Sequence, residues 1–181
     1  RAETGSVLWS DTLRSGGRTR ADAVFSGIDA DPIVQDGVVV VASASGPMQA
    51  SALTNGRPLW QAKLGSHRTP WSAGNALFVL TDNNDLVALF KRSGAVRWST
   101  PLAQHDDRDK TRDTTPPLYG PILAGNALLV VNRRGELMSF KTEDGTPIGS
   151  TDLASGLASP PVVVGGALYL VTQDGVLKKY Y

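Results

Sequence analysis

The sequence predicts an all-β fold, a β-propeller built from four-stranded antiparallel blades. A ten-residue frame recurs along the chain, a proline-led apolar pattern recurs between its copies, and no stretch has sustained helical periodicity. Each copy of the frame holds a turn dipeptide, a short apolar stretch, a tryptophan position and a final leucine. The copies are TGSVLWSDTL (4–13), NGRPLWQAKL (55–64), SGAVRWSTPL (93–102) and DGTPIGSTDL (144–153). A unit of about 40 residues with four strands is typical of a propeller blade, whereas a β-sandwich does not repeat a Trp frame at fixed offsets.

The strands of each unit follow one another in a fixed order. Each unit begins with a proline-led inner strand, followed by a glycine turn and an apolar second strand. The four segments with this pattern are PIVQDGVVVVAS (32–43), PWSAGNALFVLT (70–81), PILAGNALLVVN (121–132) and PVVVGGALYLVT (161–172). A third strand then opens at Gly46, Asn84, Gly135 and Gly175, where asparagine replaces glycine because it tolerates a positive φ. An X-Gly turn leads into the fourth strand, which carries the frame. We therefore predict an outer strand over 4–13, blades over 29–65, 67–103 and 118–154, and an incomplete last blade over 158–181.

The tryptophans of the frame are predicted to be structural. A large rigid ring buries much area, so Trp9, Trp60 and Trp98 are expected to fill the gaps between neighbouring blades. The frame turns use a glycine in the second position, at Gly56, Gly94 and Gly145. The fourth frame has Gly149 where the others have Trp, which predicts a looser contact there.

Four blades make a small ring, and a propeller must protect its sheet edges. We therefore expect these blades to be half of a larger propeller, which either pairs with an N-terminal half or self-associates with a second copy. The chain opens with Arg1 rather than methionine, which is typical of a processed or truncated product. Its longest apolar stretches are of strand length, well below the ~20 residues of a membrane-spanning helix.

The amino-acid composition limits the kinds of partner and functional site that the chain can have. The 181 residues are 41% hydrophobic and 19% charged with a formal net charge of +1, so nothing calls for a nucleic-acid partner. The chain has no cysteine and two histidines, which leaves little material for a catalytic triad or a metal site. Acids at 106, 107, 109 and 113 alternate with basic residues, which favours a solvated loop over a calcium site. We assign no catalytic, metal-binding or cofactor-binding residue, and expect no cofactor.

The repeated unit resembles the pyrroloquinoline-quinone (PQQ) type of propeller repeat. Proline-led strands, a small-residue turn and the T-G-x-x-x-W motif carry the resemblance, most clearly over 69–98 and 120–145. Within this class the chain is similar to the C-terminal half of BamB-like outer-membrane assembly lipoproteins. The resemblance implies an eight-bladed ring and a non-enzymatic scaffold of the β-barrel assembly machinery. It also implies POTRA domains of BamA as the partner, at the periplasmic face of the outer membrane of a Gram-negative bacterium.

Two alternatives stay open. The same repeat builds PQQ-dependent quinoprotein dehydrogenases, in which adjacent cysteines cover the quinone and a Glu/Asn/Asp set holds calcium. The lack of cysteine counts strongly against that activity in this chain. A generic propeller module for sensing or ligand binding is the third possibility.

Binding on a propeller is carried by loops, so the two insertions are the candidate sites. The first, over 14–31, mixes basic, aromatic and acidic residues as interface anchors do. The predicted partner-binding residues are Arg18, Arg20, Phe25, Asp29 and Asp31. By resemblance, Asp29 matches an acid of the POTRA-facing segment, Gly27 stands where a second acid would be, and Asp31 lies out of register. The second insertion, over 103–119, is charged and ends in prolines, and either one is also compatible with a tolerated surface insertion.

Overall fold

The structure is a computed structural model that describes residues 4–13, 28, 30–44, 46–102 and 117–180. Every regular element in these ranges is a β-strand. The strands are β1 (Ile33–Gln35), β2 (Val38–Ala42), β3 (Met48–Ala52), β4 (Pro58–Ala62), β5 (Trp71–Ala73), β6 (Ala76–Leu80), β7 (Asp85–Phe90), β8 (Val96–Pro101), β9 (Leu118–Ala124), β10 (Ala127–Asn132), β11 (Glu136–Lys141), β12 (Pro147–Asp152), β13 (Val162–Val164), β14 (Ala167–Val171) and β15 (Leu177–Tyr180). The all-β prediction is confirmed, and none of the described segments is a helix able to cross a membrane.

The strands form four sheets in which chain neighbours are also sheet neighbours. Sheet 1 has the order β1-β2-β3-β4, sheet 2 the order β5-β6-β7-β8, sheet 3 the order β9-β10-β11-β12, and sheet 4 the order β13-β14-β15. Their strands lie at 33–62, 71–101, 118–152 and 162–180. Strand β9 begins at Leu118, three residues before the proline at which the sequence pattern opens.

The chain divides into two compact units. Unit 1 comprises Arg1–Asp82 and Leu89–Val96, and unit 2 comprises Asn83–Ala88 and Arg97–Tyr181. Each unit buries aliphatic side chains in the second and third strands of its sheets. In a meander of short strands, one face of the sheet packs against a neighbouring sheet. Fully buried examples are Val40, Met48 and Leu80 in unit 1, and Leu128, Val130 and Leu170 in unit 2.

Residues 4–13 differ from the predicted outer strand. They contain a turn at Thr4 and Gly5 but no strand. A strand exists only as part of a ladder, and no described strand pairs with this segment. The segment is nevertheless held beside sheet 1, because the Gln49 side-chain amide donates a 2.6 Å hydrogen bond to the carboxylate of Asp11.

Each frame tryptophan packs against the glycine of the next frame. The indole Nε1 of Trp60 donates a 2.8 Å hydrogen bond to the carbonyl of Lys91, and the ring covers the backbone of Gly94. A Cβ built on Gly94 would lie 2.5 Å from Cε3 of Trp60, so no side chain fits there. We call this arrangement the Trp–Gly contact. It recurs with Trp9 on Gly56 and the carbonyl of Leu53, and with Trp98 on Gly145 and the carbonyl of Thr142.

The fourth frame lacks this contact. Gly149 has open space around it, and all six residues of β12 are exposed. The glycine that replaces tryptophan thus leaves the outer strand of sheet 3 without a ring to bury.

A buried lysine ties the first hairpin of sheet 1 to the end of β7. The side chain of Lys91 is only 4% exposed, and its Nζ lies 2.5 Å from the carboxylate of Asp36. Asp36 occupies the first position of a tight turn at φ 51°, a conformation that Asn also tolerates. The Asp36→Asn variant therefore keeps the turn while removing the charge that faces the buried ammonium.

We expect Asp36→Asn to lower the free energy of unfolding by about 1 kcal/mol, because a buried cation loses its ionic partner but keeps an amide oxygen. Urea unfolding measures the change. Asp31→Asn is the matched control, since Asp31 is exposed and the buried lysine of the described residues, Lys91, pairs with Asp36. Equal stability changes in the two variants would contradict the assignment.

Candidate functional site

The described loops of unit 1 include one that is held rigidly by side-chain hydrogen bonds. It is the linker over 63–70, which joins β4 to β5. The hydroxyl of Ser66 is fully buried and donates to the carbonyl of Leu80 at 2.9 Å, while accepting from the backbone N–H of Arg68 at 3.0 Å. The backbone N–H of Ser66 donates to the carbonyl of Ser43 at 3.0 Å. The buried hydroxyl of Ser66 thus fixes the backbone conformation of a surface linker. Buried hydroxyl groups are expected to form hydrogen bonds, here with the backbone.

The linker presents a histidine–aspartate pair. Nδ1 of His67 lies 2.5 Å from Oδ1 of Asp82, and the backbone N–H of His67 donates to the same oxygen at 3.0 Å. The backbone N–H of Asp82 in turn donates to the carbonyl of Gly65 at 3.0 Å. The imidazole is about half exposed, so these hydrogen bonds orient a side chain that still reaches the surface.

Arg68 is the third polar side chain of this linker region. It is partly buried, and its Nη1 donates to the carbonyl of Thr81 at 3.4 Å. Burial lowers the pKa of Arg68, and the nearby charge of Asp82 opposes that shift. The guanidinium remains protonated at physiological pH because its ordinary pKa lies so far above neutrality.

One residue of the predicted site joins this group. The backbone N–H of Asp31 donates to the hydroxyl of Thr69 at 3.1 Å, and this bond ties the segment before β1 to the linker before β5. We call Asp31, Ser66, His67, Arg68, Thr69 and Asp82 the linker platform. It offers two carboxylates, one imidazole and one guanidinium on a hydrogen-bonded backbone. Such a mixture suits recognition of a polar protein surface.

The linker of unit 2 shares the backbone pattern but not the side chains. The backbone N–H of Gln173 donates to the carbonyl of Gly156 at 2.8 Å, as that of Asp82 does to Gly65. Ala158 and Gln173 stand where unit 1 has His67 and Asp82. Hydrogen bonds from Thr172 and Ser155 lower the pKa of the neighbouring Asp174. Of the two linkers compared, the one over 63–70 therefore carries the His–Asp pair and the one over 153–161 does not.

One of the five predicted partner-binding residues lies within the described part of the chain. Arg18, Arg20, Phe25 and Asp29 lie outside the described residues, whereas Asp31 is exposed at the edge of the platform. No group of three or more potential metal-binding side chains occurs within the part of the chain that the structure describes.

The sequence interpretation missed His67 and Asp82, although a signal was present. GSHRTP (65–70) and GIDADP (27–32) align without a gap up to their prolines, which puts His67 at the position of Asp29. A polar residue at that position in two successive linkers indicates a shared surface role.

Comparison with known proteins identifies the repeat class. The family model described as "Outer membrane protein assembly factor BamB" matches residues 1–100 and 103–180. The chain belongs to the BamB family. This confirms the resemblance drawn from the proline-led strands and the Trp frame.

A curated relative from Legionella pneumophila (strain Paris), an outer membrane protein assembly factor BamB, is 27% identical over 98% of this chain and 44% of its own length. The chain thus spans less than half the length of the curated BamB relatives that it matches. The crystal structure of BamB from Moraxella catarrhalis superposes with a TM-score of 0.69 at 23% identity, covering 84% of this chain and 42% of that one. The likeness confirms the predicted propeller fold.

The quinohemoprotein alcohol dehydrogenase ADHIIG of Pseudomonas putida HK5 also superposes, with a TM-score of 0.64 at 18% identity over 89% of this chain and 24% of that one. At this identity the likeness concerns the fold alone. It therefore adds no support to a dehydrogenase activity.

Proposed function

We propose that this chain is a non-enzymatic scaffold in the assembly of outer-membrane β-barrel proteins. Its membership of the BamB family over nearly all of its length carries the proposal. The curated relatives are named as outer membrane protein assembly factors. In this account the protein acts at the periplasmic face of the outer membrane of a Gram-negative bacterium.

The partner in this proposal is the set of POTRA domains of BamA, bound through the linker platform and the insertion before β1. The platform supports this choice because its polar groups are pre-oriented, so little conformational entropy is lost on docking. His67 and Asp31 are exposed, while Ser66 behind them is fully buried. Exposed polar and charged groups on a rigid backbone favour a partner of complementary charge. They contribute more to the orientation of the bound partner than to the affinity of the complex.

Charge reversal tests the location of the site. We expect Asp29→Lys and Asp31→Lys each to weaken binding of purified POTRA domains about tenfold, which corresponds to about 1.4 kcal/mol. Biolayer interferometry with the immobilised chain measures the affinity. The effect is expected to shrink at high salt because exposed charges are screened.

Glu143→Lys is the matched control. It makes a charge change of the same size at an exposed residue in the turn between β11 and β12, which is not one of the linkers that join two sheets. We expect it to leave the affinity unchanged. Equal weakening by all three variants would show a general effect of net charge and would count against this site.

A further inference from the structure

The turn between β10 and β11 carries two consecutive arginines, Arg133 and Arg134, and both are exposed. We call residues 132–135 the arginine turn. Among the described residues, no carboxylate forms an ion pair with Arg133. Arginine is enriched at protein interfaces, and its planar guanidinium binds a carboxylate through two parallel hydrogen bonds. Two arginines on one short turn therefore make a candidate contact for an anionic partner.

A buried asparagine fixes the backbone of this turn. Asn132 is 8% exposed, and its Oδ1 accepts hydrogen bonds from the backbone N–H groups of Arg134 and Glu136, both at 3.0 Å. Its Nδ2 donates to the carboxylate of Glu136, also at 3.0 Å. A turn that is already ordered loses less conformational entropy when a partner binds, so this network favours docking.

The two flanking linkers hold the same turn from outside. The backbone N–H of Arg133 donates to the carbonyl of Pro117 at 3.0 Å, and its carbonyl accepts from the backbone N–H of Leu157 at 3.2 Å. Gly135 packs against the carbonyl of Ser155 so closely that a Cβ would not fit there. The backbone of Arg133 is thus fixed on both sides while its side chain is exposed.

The turn does not need arginine in order to form. The residue whose backbone N–H donates to the preceding linker is Asp82 in sheet 2, Arg133 in sheet 3 and Gln173 in sheet 4. The same backbone bond thus occurs with an acidic, a basic and a neutral side chain. The arginine is therefore explained better by what it contacts outside the turn than by the turn itself.

The charges around the arginine turn have mixed sign. Glu136 and Asp152 lie opposite each other in the ladder of β11 and β12, and the carboxylate of Asp174 accepts a 3.0 Å hydrogen bond from the hydroxyl of Ser155. A bilayer or a nucleic acid presents negative charge throughout, so these three carboxylates would repel it. A protein segment can place its carboxylates on the arginines alone, which gives the complementary pattern of charge.

We propose that the arginine turn is a second protein-binding surface of this chain, and that it binds a partner segment with adjacent carboxylates. The guanidinium groups of Arg133 and Arg134 donate charge-assisted hydrogen bonds to those carboxylates. The arginine turn belongs to unit 2, whereas the linker platform belongs to unit 1. The inference goes beyond the proposed function and does not rest on it.

A short acidic peptide tests this chemistry. Nuclear magnetic resonance follows the backbone amides of the isotopically labelled chain during titration with the tetrapeptide Gly-Glu-Glu-Gly, capped at both ends. We expect saturable shifts centred on Arg133 and Arg134, which weaken as salt is added because exposed charges are screened. The neutral peptide Gly-Gln-Gln-Gly is expected to produce no shifts. Equal shifts with both peptides, or no saturable shift with the acidic one, would overturn the proposal.

A double substitution tests the location. Arg133→Gln together with Arg134→Gln is expected to raise the Kd of the acidic peptide at least about tenfold, with unchanged far-ultraviolet circular dichroism. Arg57→Gln together with Arg92→Gln is the matched control, because it removes two exposed arginines from the turns before β4 and β8. We expect it to leave the Kd unchanged.

Two results would contradict this location or this partner. Equal weakening by the two double variants would show a general effect of net charge and would overturn the site. Vesicles of phosphatidylglycerol provide the second test. Binding of the natural chain to these vesicles that is lost with Arg133 and Arg134, in the absence of peptide binding, would show a membrane partner instead of a protein segment.

Discussion

Replacing Gly94 with alanine is expected to lower the free energy of unfolding by about 3 kcal/mol, because two costs fall on one residue. Its φ of +70° is a conformation that costs an L-residue about 1–2 kcal/mol. The added Cβ would also lie 2.5 Å from Cε3 and 2.6 Å from Cδ2 of Trp60, so the indole must move. Moving the ring weakens its hydrogen bond to the carbonyl of Lys91. Urea unfolding of the natural chain and the variant measures the loss.

Gly37→Ala separates the two costs. Gly37 has a φ of +76°, close to that of Gly94, but a Cβ built there meets nothing within 4 Å. This control is expected to lose only the backbone cost of about 1–2 kcal/mol. Equal losses in the two variants would show that the tryptophan contributes nothing to the glycine requirement.

Trp60→Ala is expected to lower the free energy of unfolding by about 3 kcal/mol. The substitution removes a half-buried ring that packs on a neighbouring turn, and it leaves the carbonyl of Lys91 without its indole donor. Trp60→Phe keeps most of the apolar area and removes only the donor, so we expect it to lose about 1 kcal/mol. The same urea titration measures both variants. A Phe variant as unstable as the Ala variant would contradict the packing explanation.

A double-mutant cycle then tests the Trp–Gly contact directly. In the Trp60→Ala background, Gly94→Ala is expected to cost only its backbone share, which leaves a coupling of about 1–2 kcal/mol. Trp9→Ala provides the matched background, because Trp9 covers Gly56 rather than Gly94. There Gly94→Ala is expected to keep its full cost. Simple additivity in both backgrounds would contradict the contact.

Much of the strand pattern could be predicted from the sequence because it depends on local chemistry. Proline-led strands, glycine turns and the frame locate the sheets to within a few residues. The role of Asn84 follows from its tolerance of a positive φ, and the structure has it at 61°. Whether a residue lies in a strand or in a turn depends mainly on the residues next to it in the sequence, so the pattern of apolar and turn residues predicts it.

The partners of the tryptophans are less predictable. Trp60 lies 34 residues before its glycine, whereas Trp9 and Trp98 each lie 47 residues before theirs. The offset follows the length of the intervening insertion and not a fixed period. Segment 4–13 shows a second limit of sequence-based prediction. Its frame predicts a strand, but a strand also needs a hydrogen-bonded neighbour, which the frame does not specify.

The linker platform was the least predictable part of the site. His67 and Asp82 are 15 positions apart and contact each other directly, beside the buried hydroxyl of Ser66. Neither the periodicity nor the composition of the sequence predicts this contact. Long-range pairs between loops depend on how the intervening strands turn back, which hydropathy alone does not encode. Alignment of the two proline-ended linkers was the signal that could have found it.

Calorimetric titration of this chain with purified POTRA domains of BamA, at low and at physiological salt, tests the scaffold account most directly. The account predicts saturable binding that persists at physiological salt, is weakened by Asp31→Lys and is unchanged by Glu143→Lys. No heat of binding at either salt, from a chain shown to be folded by circular dichroism, would contradict it.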